Sequence, residues 1–173
     1  MDKLSPDDLV KFSQVKLLVL DVDGVLTDGG LYYNETGDVW KKFNVKDGLG
    51  LKLLMQKGIN VAIISSSNSK ATLHRAKQLG IEYVFIGIED KLIKLKGLCQ
   101  ELGLELNEVA YMGDDLVDLP VMEVVGFPIA VADAMSKNRD IAIYVTKKRG
   151  GEGAVREVCN LLIEMNNCNG SKT

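Results

Sequence analysis

Histidine occurs once and cysteine three times in the 173 residues. Cys99, Cys159 and Cys168 form no CxxC pair, and His74 is the one imidazole that could join them. So sparse and scattered a set argues against a disulfide framework or a zinc centre and fits a reducing compartment. Long apolar runs are missing too: none reaches the ~18 residues of a membrane span. The opening stretch, MDKLSPDDLVKF, is acidic and lacks the apolar core of a secretory signal. A cytoplasmic protein is expected. Excess positive charge is absent as well. At a net −3 the chain has no general pull toward nucleic acid or an anionic membrane surface, so partners of neither kind are expected. Anionic small molecules stay open, because a local group of Lys and Arg can act against the overall sign.

What the chain does have is apolar material. Residues of that class make up 46% of it, enough to form a sizeable core, and the length suits one domain over residues 1–173. Ser5-Pro6-Asp7-Asp8 reads as a helix start, and Val15 to Leu20 as a first strand. LYYNETGDVWKKFNV has two β-rich arms around Asn34 to Gly37 and reads as a hairpin spanning about 28–46. Strand-like and helix-like segments then alternate: GLGLKLLMQKG, INVAIIS, SKATLHRAKQLG, YVFIG, DKLIKLKGLCQELG, EVAYMG and DLVDLPVMEVVG. Short strands are expected near Pro128–Val131 and Ile141–Val145, a last helix from about Gly153 to Met165, and a frayed tail over 166–173. Wholly apolar strands alternating with helices predict an α/β fold, a Rossmann-like, doubly wound and mainly parallel sheet. Ligands of such sheets lie beyond the carboxyl ends of the strands.

The polar residues gather at those ends. Asp21 and Asp23 follow the first strand, Ser65 and Ser66 the second, and Asp114 and Asp115 follow VAYMG; Asp90-Lys91 opens the helix after YVFIG. Three carboxylates converging on one point want a hard divalent cation with oxygen ligands, most simply Mg²⁺. A metal, a lysine and a hydroxyl together suit a phosphate. An aspartate held there can attack phosphorus, and a second carboxylate two residues on can move the proton. Plain readings stand beside these. A lone DxD often only caps a turn, the serines can be just a polar loop, and Asp118 can face solvent on its helix. Lys91 differs from Lys94 and Lys96 in sitting at a helix start, where its charge opposes the helix dipole and asks for an anionic partner. His74 reads as a surface or interface residue.

DVDGVLTDG resembles the DxDGxxTDG first motif of the haloacid dehalogenase superfamily of aspartate-nucleophile phosphatases, and Ser65, Lys91 and GDDLVD follow in that family's order. The likeness covers roughly Val15 to Ile163, with the hairpin and KKRGGEGAVREV pointing to the capless branch that acts on phosphorylated sugar acids. It implies that Asp21 is the nucleophile and Asp23 the general acid/base. Mg²⁺ would be held by Asp21, the Asp23 carbonyl and Asp114, with Asp115 and Asp118 orienting that shell, and Ser65, Ser66 and Lys91 binding the phosphoryl group. It also implies a homo-oligomer, a tetramer in which hairpins meet and a neighbour covers each site in place of a cap domain. Substrate contacts would then come from Asn44, Lys46, Asp47, Arg75, Arg149 and Gly151. The implied substrate is of the 3-deoxy-D-manno-octulosonate 8-phosphate type, or alternatively a nonulosonate 9-phosphate. Ser65-Ser66-Ser67 stands where many of these enzymes carry Thr-Gly-Arg, which keeps a hydroxyl and removes a cation. Two other classes share such a strand end: a non-catalytic oligomerisation module, which should have lost some of the acids, and a phosphoacceptor signalling domain, in which a base beside the acceptor would be out of place.

Overall fold

The computed structural model describes residues 12–169, so the expected helix start at Ser5 lies outside the described residues. Strand β1 (Leu17–Leu20) is buried on both faces. It pairs in parallel with β4 (Asn60–Ile64) on one side and β6 (Val109–Gly113) on the other. Beyond them lie β5 (Tyr83–Phe85), β7 (Phe127–Ala130) and β8 (Tyr144–Val145), in the order β5-β4-β1-β6-β7-β8, every pairing parallel. The chain leaves β1 toward β4 and later returns to its other edge with β6. The crevice at the carboxyl end of β1 is therefore the switch point where such a sheet binds ligands.

Helices α1 (Val45–Gln56), α2 (Lys70–Leu79), α3 (Lys91–Leu102) and α6 (Ala154–Asn169) cover the sheet. Their ends follow local chemistry. Asn44 Oδ1 accepts from Lys46 N at the start of α1, and Asp90 Oδ1 accepts from Ile93 N at the start of α3. Gly80 and Gly103 close α2 and α3 in the left-handed conformation.

Three expectations change in detail. DLVDLPVMEVVG is not one helix but a 3₁₀ turn at Leu116–Asp118 followed by the short α4 (Leu119–Met122). Pro120 sits in the first turn of α4, where the missing N–H is tolerated, so the turn before it closes on Asp115 instead. Residues 136–141 form helix α5 (Ser136–Ile141), which shortens the expected Ile141 strand to β8. The last helix continues through Asn169, so residues 166–169 belong to it and only 170–173 lie outside the described residues.

The hairpin is present with a shorter ladder than its sequence suggests: β2 (Tyr32–Tyr33) against β3 (Val39–Trp40). The rest of its order comes from side chains. Asn34 Oδ1 accepts from the backbone N–H groups of Thr36 and Asp38, while Asn34 Nδ2 donates to Asp38 Oδ2. Tyr33 and Trp40 are each 66% exposed, whereas Phe43 packs against the core. The aromatic side chains of the ribbon, Tyr32, Tyr33 and Trp40, are thus left uncovered by their own domain.

Candidate active site

The loops after β1, β4 and β6 and the first turn of α3 meet at the switch point. They enclose a cavity of about 160 Å³ lined by Asp21, Asp23, Ser65, Ser66, Ser67, Lys91, Asp114 and Asp115. Seven of the expected site residues come together here, from four separated stretches of chain.

Lys91 is the hinge of the arrangement. Its Nζ lies 2.8 Å from Asp21 Oδ1 and 2.7 Å from Asp118 Oδ1, with all three side chains buried. The misfit of a cation at a helix start is relieved by these two carboxylates. Burial alone would lower the Lys91 pKa, but the charges of Asp21 and Asp118 overcome it and raise the value.

Asp118 is fully buried, so its solvent-facing reading is corrected. Oδ1 accepts from Tyr111 Oη at 2.6 Å and from Lys91, and Oδ2 accepts from the N–H groups of Asp114 (3.0 Å) and Asp115 (3.3 Å). The bend that puts a 3₁₀ turn in place of a helix is what folds Asp118 back beneath its own loop. Asp115 is exposed and spends Oδ1 on Leu116 N, capping that turn.

The carboxylates crowd each other. Burial, reinforced by the Asp118 charge, lifts Asp21 to about 6 against the pull of Lys91. Burial and the charges of Asp21, Asp118 and Asp115 lift Asp114 to about 8. Asp114 Oδ1 is buried without a hydrogen-bond partner. Oxygens of Asp21, Asp114 and Asp118 fall within 4.8 Å of one another. An all-carboxylate donor set with an orphaned oxygen fits a hard divalent cation. Of the three, Asp118 suits direct ligation least, because each of its oxygens already accepts two hydrogen bonds. Gly24 explains the close approach of the loops: its φ is +88°, and a Cβ there would overlap Asp114 Oδ2.

Ser65 is buried, and its Oγ accepts from Ser67 N at 3.2 Å. Sequence reasoning missed two contributors here. Thr27 Oγ1 accepts from Gly24 N and Gly29 N, which knits the loop after β1. Lys41 Nζ lies 2.6 and 2.7 Å from the two oxygens of Asp23. The TDG motif offered a signal for Thr27; nothing in Lys41-Lys42 separates one lysine from the other.

Six expected substrate contacts lie outside this cavity. Asn44 Nδ2 donates to the Gly151 carbonyl, and Asp47 Oδ1 accepts from Arg156 N at the start of α6. Burial raises the Asp47 carboxyl. Arg75 donates to Gln78 Oε1 and to the Asn44 carbonyl, and Arg149 pairs with Asp133 at 3.1 Å. Gly151 N donates to the Val25 carbonyl, which brings the 149–153 turn against the loop after β1. Lys46 lies beside Lys147, Lys148 and Arg156 in a separate cleft.

Residues 87–158 match the haloacid dehalogenase-like hydrolase family. The 3-deoxy-D-manno-octulosonate 8-phosphate phosphatase KdsC of Escherichia coli K12 is 46% identical over 160 residues, 92% of this chain and 85% of that protein. The KdsC of Yersinia pestis is 44% identical over 91% of this chain and 84% of its own length. Among solved structures, the 3-deoxy-D-manno-octulosonate 8-phosphate phosphatase of Moraxella catarrhalis, in complex with magnesium, phosphate and KDO, superposes with a TM-score of 0.91. It is 45% identical, with 94% of each chain covered. The cobalt-bound phosphatase YrbI of Haemophilus influenzae gives 0.88 at 37% identity, over 94% of this chain and 96% of that one. A likeness of this depth along nearly the whole chain, on the same parallel sheet, assigns this chain to the haloacid dehalogenase-like hydrolases, in the family of the 3-deoxy-D-manno-octulosonate 8-phosphate phosphatases.

Proposed function

We propose that the protein is a Mg²⁺-dependent phosphatase that hydrolyses 3-deoxy-D-manno-octulosonate 8-phosphate through an aspartyl phosphate. The observation that carries this reading is the Asp21–Lys91 pair at 2.8 Å, held at the floor of a cavity whose other walls are Asp23, Ser65, Ser66 and Asp114.

Lys91 fixes one oxygen of Asp21, and the carboxylate attacks phosphorus as the bond from phosphorus to the sugar oxygen breaks. Asp23 gives its proton to that leaving oxygen. It then takes a proton from the water that attacks the aspartyl phosphate, which frees phosphate and restores Asp21. Ser65, Ser66 and Lys91 meet the phosphoryl oxygens. Asp21, the Asp23 carbonyl and Asp114 would hold Mg²⁺, whose contribution is to offset the negative charge gathered by three carboxylates and a phosphate. Asp118 keeps Lys91 and the loop N–H groups in place from beneath.

The reading extends to assembly and place. The exposed hairpin, with Tyr33 and Trp40 each 66% exposed, supports a homotetramer in which hairpins meet. Lys46, Arg75 and Arg149 are then the cations offered to a neighbour's substrate, while Asn44, Asp47 and Gly151 set the joints between α1, α6 and the 149–153 turn. No helix among the described residues is long and apolar enough to cross a membrane, which is compatible with work in the cytoplasm.

The test is phosphate release with Mg²⁺ from octulosonate 8-phosphate, two nonulosonate 9-phosphates and common sugar phosphates, with Asp21→Asn as the blank. Preferred turnover of the eight-carbon acid is expected. A preference for a nine-carbon acid would reassign the substrate to the nonulosonate 9-phosphate alternative. Silence from a folded, metal-loaded protein would overturn the activity itself.

A further inference from the structure

The carboxylate expected to move the proton takes its aim from outside the catalytic loops. Asp23 stands at the end of β1 with its side chain 34% exposed to the cavity, and both of its oxygens go to Lys41 Nζ, at 2.6 and 2.7 Å. Among the described residues no other hydrogen bond to this carboxylate is found. Lys41 is the first residue after β3, on the return arm of the hairpin, and its side chain is only 1% exposed. Its neighbour Lys42 turns the other way, 57% exposed, to pair with Asp28. The same Lys41 ammonium donates to Ser67 Oγ at 3.1 Å. One cation therefore ties the hairpin to the loops after β1 and β4.

A lysine buried to this degree is tolerated only when its charge is met, and the two Asp23 oxygens meet it. The contact constrains Asp23 in return. A carboxylate gripped on both oxygens has one orientation, whereas a free aspartate two residues past the nucleophile would sample its rotamers. The hairpin ladder is only Tyr32–Tyr33 against Val39–Trp40, so the place of Lys41 depends on how the whole ribbon is seated.

The geometry points to Lys41 as a positioning residue for Asp23, through which the seating of the hairpin governs proton transfer at the neighbouring nucleophile. This rests on the phosphatase reading above and deepens it. Lys41 need not touch the substrate; it acts by keeping the carboxylate aimed first at the leaving oxygen and then at the attacking water.

A double-mutant cycle on the metal-loaded enzyme tests this, with K41M, K41R, D23N and K41M/D23N. K41M should lower kcat by about 10- to 100-fold, part of what general acid–base help contributes, with KM unchanged to within about twofold. K41R should recover most of the rate, and K41M should lose nothing further in the D23N background. A melting midpoint for each variant reports the fold; if K41M melts early, K41Q carries the same comparison. Losses that multiply in the double variant, or a KM rise with kcat intact, would overturn the proposal and make Lys41 an independent or substrate-binding residue. The cycle runs on whichever phosphomonoester the wild-type protein turns over, octulosonate 8-phosphate first and p-nitrophenyl phosphate otherwise. Failure on the sugar acid alone then strikes the substrate reading and leaves the Lys41 proposal to its own result.

Discussion

Lys91 and Asp118 meet at 2.7 Å beneath the site, and neither side chain is more than 2% exposed. The pair joins the first residue of α3 to the last residue of the 3₁₀ turn after β6. Through Asp21, Lys91 passes that anchorage to the end of β1. The expected nucleophile is thus placed by an acid that does not line the cavity.

Replacing Asp118 by asparagine should therefore damage both the fold and the reaction. The amide keeps the shape but cannot serve four donors, and it leaves Asp21 as the one charged partner of the Lys91 ammonium among the described residues. Loss of one partner from a buried ion pair commonly costs about 3–5 kcal/mol. Activity or Mg²⁺ affinity should fall by about 10- to 100-fold, as for other groups that orient metal ligands. Urea unfolding and a Mg²⁺ titration of activity check the two parts. A variant that unfolds like the wild type would show that Asp118 is not the anchor described.

Stabilisation by Mg²⁺ should grow with pH. Without the cation, Asp21 and Asp114 sit at about 6 and about 8, both above the ordinary carboxylate value of 3.8. A raised carboxyl binds its proton more tightly in the folded protein than in the unfolded chain. The metal-free protein should therefore lose stability as pH climbs from about 4 to about 8, where the unfolded chain has released those protons first. A cation takes the place of the protons, so its benefit rises over the same window. Melting curves at pH 5, 6, 7 and 8, with and without Mg²⁺, should show a midpoint shift that widens with pH; a constant shift would refute the linkage.

Gly24→Ala should disable the metal site. The residue has φ +88°, and the added methyl would press on Asp114 Oδ2. Alanine at a positive φ loses on the order of 1 kcal/mol or more. Moving the Asp114 carboxylate should also weaken Mg²⁺ binding by about tenfold or more. Calorimetric titration with Mg²⁺ alone reads this without any substrate. Unchanged affinity would mean that the loop relaxes freely.

Trp40→Glu bears on the proposed homotetramer. A charge on the exposed ribbon, with Tyr32 directly opposite across the ladder, should disfavour an apolar contact between subunits while leaving the monomer's core untouched. Light scattering should show a smaller particle with wild-type helix content by circular dichroism. An unchanged mass would move the interface off the hairpin.

The strand-and-helix order, the parallel sheet and the gathering of Asp21, Asp23, Ser65, Lys91 and Asp114 were readable from the chain, because each depends on local information. Apolar runs of strand length, glycine after helices and acids at strand ends act over a few residues, and the parallel topology then brings those ends to one edge. The roles that needed distance were not readable. The resemblance implies substrate contacts for Asn44 and Asp47, but no local pattern shows the partners they take within the chain, the N–H of Lys46 for one and that of Arg156, 109 residues along, for the other. Asp118 carried two readings, orienting the metal shell or facing solvent on its helix, and the 3₁₀ turn before Pro120 is what folds it inward. Lys41 and Lys42 are chemically the same and adjacent; only the return of the hairpin over the β1 loop sends one to the buried side of Asp23 and the other to Asp28 at the surface. Local pattern determined what the site is made of. Tertiary packing decided which charges are buried together, and burial with nearby charge is what shifts the proton affinities of Asp21, Asp114 and Lys91.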